Sequence, residues 1–219
     1  MIPLDLDDIR SAVVVAPHPD DEIIGAFGLM RALVRRGARV RVVVVTDGSA
    51  SHPNSPSHPR ERLIAARRAE CRRGLSRAGV RARSIRYLAH RDATLARYDP
   101  RRRRRLARDI AHGPAPDLLV VPTHADDHPD HRAVARACRG IWPECRRRLA
   151  YPVWPRPGHR PPRLSLFLTL GPQLRRMKQS ALHCHATQTG AIDDDPNGFT
   201  MSPEQRARFC RAVERFERV

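Results

Sequence analysis

Ala12-Val13-Val14-Val15-Ala16-Pro17-His18-Pro19-Asp20-Asp21-Glu22 carries the reading of the fold. Its apolar run makes a short strand that Pro17 ends. From about Glu22 to Arg36 the residues Ile23, Phe27, Met30 and Val34 then recur at helical spacing, so a strand, a loop and a helix follow one another. Gly37 stops the helix. Val40 to Val45 supplies a second strand, rich in β-branched residues, that closes on the turn Thr46-Asp47-Gly48.

The same alternation continues outward. A helix is predicted from about Arg60 to Ala78, with Leu63, Ala66, Ala69 and Leu75 on its inner face. Strands follow at Ile85 to Leu88 and Leu118 to Val121, and helices at Arg102 to Ile110 and His131 to about Cys138. Strand, connection and amphipathic helix in repeated order imply an α/β fold with a Rossmann-like, mostly parallel sheet flanked by helices. Such sheets bind ligands at the carboxyl ends of their strands. The C-terminal part reads as less regular: strands at Tyr151 to Val153 and Leu164 to Leu170, a proline-rich link from Pro155 to Pro162, and a helix from Leu174 to Cys184. An acidic turn follows at Asp193 to Gly198, then a polar helix from Pro203 to Val219 with Phe209, Val213 and Phe216 as its stripe. The 219 residues are expected to form one domain, 1–219. Ser49 to Pro59, nearly devoid of apolar residues, is expected to be a long exposed loop near His18, able to act as a lid.

Lys and Arg number 41 against 23 Asp and Glu, a formal net charge of +18, and Lys178 is the only lysine. The arginines are scattered and aromatic residues make up only 5% of the chain, so the run Arg101 to Arg105 lacks the stacking platform of a nucleic-acid grip. No nucleic-acid partner is expected. Cys71, Cys138, Cys145, Cys184 and Cys210 include no C-x-x-C pair, which argues against a disulfide framework or a thiolate zinc site. No apolar run approaches the roughly 20 residues that span a bilayer, and no secretory signal is read at Met1 to Asp8. A cytoplasmic protein without a membrane partner is expected.

The first strand runs into Pro17 to Glu22, and the fourth into His124-Ala125-Asp126-Asp127-His128-Pro129-Asp130-His131. Parallel strands put both clusters at one end of the sheet. His18 and Asp21 are three residues apart, as are His128 and His131, so one turn of backbone brings each pair toward a common point. Two imidazoles and one carboxylate make a zinc set with a coordination position left for water, which is the mark of a catalytic rather than a structural site. A neighbouring carboxylate outside the ligand set, for which Asp20 is the best candidate, accepts a proton from the attacking water. His128 suits a second role, hydrogen bonding to a tetrahedral oxyanion or protonating the departing amine.

These two segments together resemble the signatures of the LmbE-like, or PIG-L-like, zinc-dependent de-N-acetylase family, a similarity that extends over roughly residues 11 to 190. The resemblance implies a mononuclear metal, usually zinc, held by His18, Asp21 and His131. It further implies Asp20 as general base and His128 as oxyanion or amine partner, oriented by Asp130. It implies hydrolysis of the N-acetyl group of an N-acetylglucosamine-containing or related amino-sugar substrate. Arg67 and Asp92 stand nearest the family's substrate-associated arginine and aspartate. Lys178, His185 and Thr187-Gln188 match a third feature, in which Thr replaces the commoner Ser; His185 is then a substrate or leaving-group residue. Asp47, at the end of the second strand, is a candidate to orient His18 or meet a sugar hydroxyl.

Two other readings remain open. One is an amino-sugar deacylase of natural-product biosynthesis acting on a longer N-acyl chain, chosen by the region Ser49 to Pro59. The other is a basic nucleic-acid-binding protein with a vestigial metal site. Two histidines and a carboxylate also form a facial set for Fe(II). In the family that the chain resembles, the region corresponding to Tyr151 to Pro162 helps wall the substrate pocket; the compactness of this chain there implies a pocket either open to large substrates or completed by a partner subunit of a homo-oligomer.

Overall fold

A computed structural model describes residues 2–158 and 165–219. Its strands are β1 (Ile2–Pro3), β2 (Ser11–Ala16), β3 (Arg39–Thr46), β4 (Ile85–His90), β5 (Leu118–Pro122), β6 (Arg147–Tyr151), β7 (Leu166–Thr169) and β8 (Val213–Arg218). The helices are α1 (Asp21–Arg35), α2 (Arg60–Arg77), α3 (Pro100–Ile110), α4 (Pro129–Ala137), α5 (Pro172–His183) and α6 (Pro203–Phe209). The strands form one sheet in the order β1-β7-β8-β6-β5-β2-β3-β4. All neighbouring pairs are parallel except those of β8, which runs antiparallel to β6 and β7.

Side chains alternate across a strand, so the apolar runs feed two cores at once. Val14, Val42, Val44 and Val120 pack under α1, α2 and α5, whereas Val13, Val15, Val43, Val45, Leu119 and Val121 pack under α3 and α4. Burial on both faces explains why these strands read as continuous apolar runs. The chain moves from β2 outward to β3 and β4 and then returns to β5 on the other side of β2. That reversal opens a crevice at the carboxyl ends of β2 and β5, the two strands that deliver the His/Asp segments.

Helix α1 is broken at Ala26 (φ −143°, ψ 19°). The amides of Gly28 and Leu29 turn to the Glu214 carboxylate at 2.8 and 3.0 Å, and the Ile24 carbonyl accepts from Lys178 Nζ at 2.7 Å. Gly25 lies against the Tyr151 ring, which a Cβ at that position would meet at 1.9 Å. Tyr151 in turn donates to the Val15 carbonyl at 2.8 Å, tying β6 to β2 just below the crevice.

The polar helix expected from Pro203 to Val219 is corrected. It closes at Phe209 after a capping box between Ser202 and Gln205, and the chain then becomes β8. The spacing of Phe209, Val213 and Phe216 imitates a helix. Pairing with β6 and β7 decides otherwise, because it buries Glu214 against α1 and lets Glu217 accept from Thr123 Oγ1 at 2.8 Å. The sixth strand begins earlier than expected, at Arg147, and β1 has no counterpart in the sequence reading. The proline-rich link and the strand expected from Leu164 reach into 159–164, outside the described residues. Among the described residues no helix is long and apolar enough to cross a membrane.

Candidate metal centre

Pro17 ends β2, and the turn that follows places His18 above the sheet and starts α1 at Asp21. His128 caps α4, its Nδ1 accepting the Asp130 backbone N–H at 3.2 Å, and His131 follows one turn later. The result is a triangle of potential ligand atoms. His18 Nδ1, Asp21 Oδ2 and His131 Nε2 lie 3.2 Å from one another on all three sides. Ligands held tetrahedrally about 2.0–2.1 Å from zinc are separated by about 3.3 Å, so the spacing fits one ion with an open fourth position. His128 stands beside them, its ring centroid 4.7 Å from that of His18 and 5.0 Å from that of His131.

Carboxylates back both imidazoles. His18 Nε2 faces Asp92 Oδ1 at 3.0 Å, and His131 Nδ1 faces Asp126 Oδ2 at 3.1 Å. This is the arrangement by which outer carboxylates fix the tautomer and orientation of metal-binding histidines. The charge balance points the same way. Burial pushes the His131 imidazole down, but Asp21 and Asp126 outweigh it and hold it at about 9; Asp92, Asp130 and Asp21 likewise hold His18 well above its ordinary value. Protons are drawn to where a cation would sit, so the donor set fits a divalent metal.

Asp20 occupies the N-cap position of α1 with φ 156° and ψ −26°, a conformation that L residues rarely adopt. Its side chain makes no capping hydrogen bond. Asp20 Oδ2 instead accepts from Arg67 at 3.1 Å, and burial pushes its carboxyl up to about 7 against the opposing pull of that guanidinium. Glu22, with no exposed surface, accepts the Asp20 backbone N–H on Oε2 at 3.2 Å; burial and the Asp20 charge push it up to about 8. Burial and the neighbouring His18 and His131 push His128 down to about 4. A neutral His128 whose Nδ1 accepts carries its proton on Nε2.

The other residues singled out from the sequence sit further back. Arg67 donates to the carbonyls of Gly48 and Pro19 as well as to Asp20, and only 2% of it is exposed. Asp47 accepts the amides of Ser49 and Asp92 and pairs with Arg60. Asp130 is the expected orienting partner of His128. It contacts His128 through its backbone N–H, while its carboxylate accepts the amides of Ala93 and Leu95 at 2.9 and 3.0 Å. His185 is fully buried, with Nε2 3.0 Å from where a Gly74 Cβ would stand, and burial together with Arg67 and Arg73 pushes it down to about 3.

The region Ser49 to Pro59 is a loop, as its composition suggests, with Ala50, Pro53, Asn54, Pro56, Ser57 and Pro59 exposed, but it is tethered to the rest of the chain. His52 and Ser55 are buried. Asp194 accepts from Ser55 Oγ at 2.6 Å and from the Ser57 amide at 2.8 Å, Asp195 from the Asn54 amide at 2.8 Å, and Phe199 donates to the Ser51 carbonyl. The acidic turn is the loop's anchor.

Several supporting residues have no role in the sequence reading. Asp126, five residues before His131, accepts the amides of His128, Val153 and Trp154 as well as facing that imidazole. Glu70 accepts from Thr187 N and Oγ1 at 2.9 and 2.7 Å. The inner face of α2 is therefore partly charged: Arg67, Glu70 and Cys71 are buried, whereas Ala66 and Ala69 are only half-buried. A helical stretch that turns arginine and glutamate inward is the signal that apolar spacing misses.

Comparison with known proteins finds relatives in sequence and in fold. A probable N-acetyl-alpha-D-glucosaminyl L-malate deacetylase 2 of Bacillus anthracis is 33% identical over 152 residues, 66% of this chain and 66% of that protein. The N,N'-diacetylchitobiose deacetylase of Pyrococcus horikoshii shares the fold at a TM-score of 0.73 and 22% identity, over 98% of this chain and 85% of that one. A zinc-inhibited form of the teicoplanin deacetylase Orf2 superposes at 0.65 with 17% identity, over 95% and 98% of the two chains. The profile of the GlcNAc-PI de-N-acetylase family, PIG-L, matches residues 13–142. With that match spanning β2 through α4 and both His/Asp segments, the chain belongs to the PIG-L family of de-N-acetylases.

Proposed function

We propose that this chain hydrolyses the N-acetyl group of an amino sugar, such as an N-acetylglucosamine conjugate, giving acetate and a free amine. The observation that carries the reading is the 3.2 Å triangle of His18 Nδ1, Asp21 Oδ2 and His131 Nε2, with Asp20 and His128 beside it. The similarity to deacetylases supports the substrate class.

His18, Asp21 and His131 would hold the metal, which we take to be zinc. When bound, it supplies Lewis acidity that polarises the acetamide oxygen and acidifies a water. Asp20 accepts the proton that this water gives up as it attacks the carbonyl carbon. His128 donates its Nε2–H to the oxyanion that develops. Collapse breaks the C–N bond, and the proton passes to the departing nitrogen. Arg67 holds Asp20, while Asp92 and Asp126 hold the imidazoles; these are supporting roles, and Asp47, Asp130 and His185 belong with them. A sugar is then contacted mainly by loops above this layer.

Elemental analysis combined with acetate detection across N-acetylated sugars tests the reading, with decanoyl glucosamine derivatives as a second arm. Stoichiometric metal with acetate release is expected. Preference for the decanoyl compounds would shift the reading to a long-chain deacylase, and metal without hydrolysis of either class would overturn it.

A further inference from the structure

Glu22 has no part in the chemistry above, yet it is among the most buried acids of the chain and touches the backbone of the proposed base. An aspartate at an N-cap ordinarily turns its carboxylate onto the first free amides of the helix. At α1 that work is done by the main chain, since Asp21 N reaches the His18 carbonyl and Ile23 N the Asp20 carbonyl at 3.3 and 2.9 Å. Asp20 is held away from the capping conformation from two sides. Glu22 Oε2 accepts its N–H at 3.2 Å, sharing it with the His18 carbonyl at 3.0 Å, and Arg67 donates both to the Pro19 carbonyl at 3.2 Å and to Asp20 Oδ2 at 3.1 Å. Glu22 is itself anchored, because Cys71 Sγ of α2 donates to its other oxygen at 3.3 Å.

We infer that Glu22 is a positioning residue that keeps Asp20 in its rare backbone conformation, so that the Asp20 carboxylate stays free for proton transfer instead of capping α1. The second residue of the helix reaches back to the N-cap amide, a task that a capping box gives to the third. The motif's last acid thus serves its first. This inference rests on the proposed hydrolase reading for its kinetic consequences but not for its structural one.

The test compares Glu22→Ala, which removes the acceptor, with Glu22→Gln, which keeps a carbonyl oxygen of the same reach. Glu22→Ala is expected to lower kcat by about 30- to 100-fold with KM within about threefold of the wild type and metal content unchanged. Glu22→Gln is expected to stay within about threefold in kcat. A crystal structure of metal-free Glu22→Ala is expected to show Asp20 in the extended region with its carboxylate on an α1 amide. Unchanged kcat in Glu22→Ala, loss of metal with it, or an unaltered Asp20 backbone would each overturn the inference. Should Glu22→Ala fold poorly, Glu22→Met fills the volume without an acceptor; if it too fails while Gln folds, Glu22 is a folding residue and the inference is wrong. Wild-type protein that binds metal but releases no acetate removes the hydrolase reading alone, and the Asp20 backbone in the variant still decides the positioning role.

Discussion

Lys178 Nζ lies 2.8 Å from Glu214 Oε1, and between them the two side chains replace the helical bonding that α1 loses at Ala26. Lys178 satisfies the Ile24 carbonyl, and Glu214 satisfies the amides of Gly28 and Leu29. Both side chains are about 2% exposed, so neither charge has water to fall back on. Lys178→Met leaves Glu214 buried without its counter-charge and is expected to cost about 3–5 kcal/mol of stability. Urea denaturation of the variant against the wild type measures it; a loss below about 1 kcal/mol would show that water reaches Glu214.

Asp20→Asn keeps the shape of the side chain and removes the proton acceptor. Turnover is expected to fall by about 10²–10⁴-fold while metal content stays near wild type. Inductively coupled plasma analysis beside the kinetic assay separates the alternatives, since metal lost together with turnover would make Asp20 a ligand.

Asp126 faces His131 from the side away from Asp21. Asp126→Asn retains an acceptor for the Trp154 and Val153 amides but weakens the hold on the imidazole. Metal affinity, measured by competition with a chelating dye, is expected to fall by about 10- to 100-fold. An affinity within about threefold of the wild type would place Asp126 in loop architecture alone.

Asp194 pins the loop 49–59, and its hydrogen bonds from Ser55 and Ser57 lower its carboxyl to about 2. A carboxyl whose folded value is depressed stabilises the folded form above its unfolded value and loses that contribution as pH falls toward the folded one. The loop is therefore expected to stay closed at pH 5 and to loosen between about pH 4 and pH 2. Hydrogen exchange of the 49–59 amides, corrected for intrinsic rates, follows the change; Asp194→Asn at pH 7 is expected to exchange as the wild type does at low pH. Equal protection in both proteins would show that Asp195 and Phe199 hold the loop without Asp194.

The amino-acid sequence by itself determined the strands β2 to β5, their helices and the two His/Asp segments. Their apolar runs are local and continuous, and Pro17 and the turn Thr46-Asp47-Gly48 punctuate them. It also concentrated His18, Asp20, Asp21, His128 and His131 at one end of the sheet, because parallel strands leave no other place for them. Tertiary structure alone decided the rest. Whether Asp20 caps a helix or stays free depends on Glu22, Arg67 and the strained turn between them. Whether Pro203 to Val219 is a helix or a helix and a strand depends on the open edges of β6 and β7. The charged inner face of α2 and the anchoring of the serine-rich loop follow from partners such as Thr187 and Asp194, more than a hundred residues away. Periodicity records which side of an element meets apolar neighbours, but a buried charge is stable only through a specific partner that the fold brings to it.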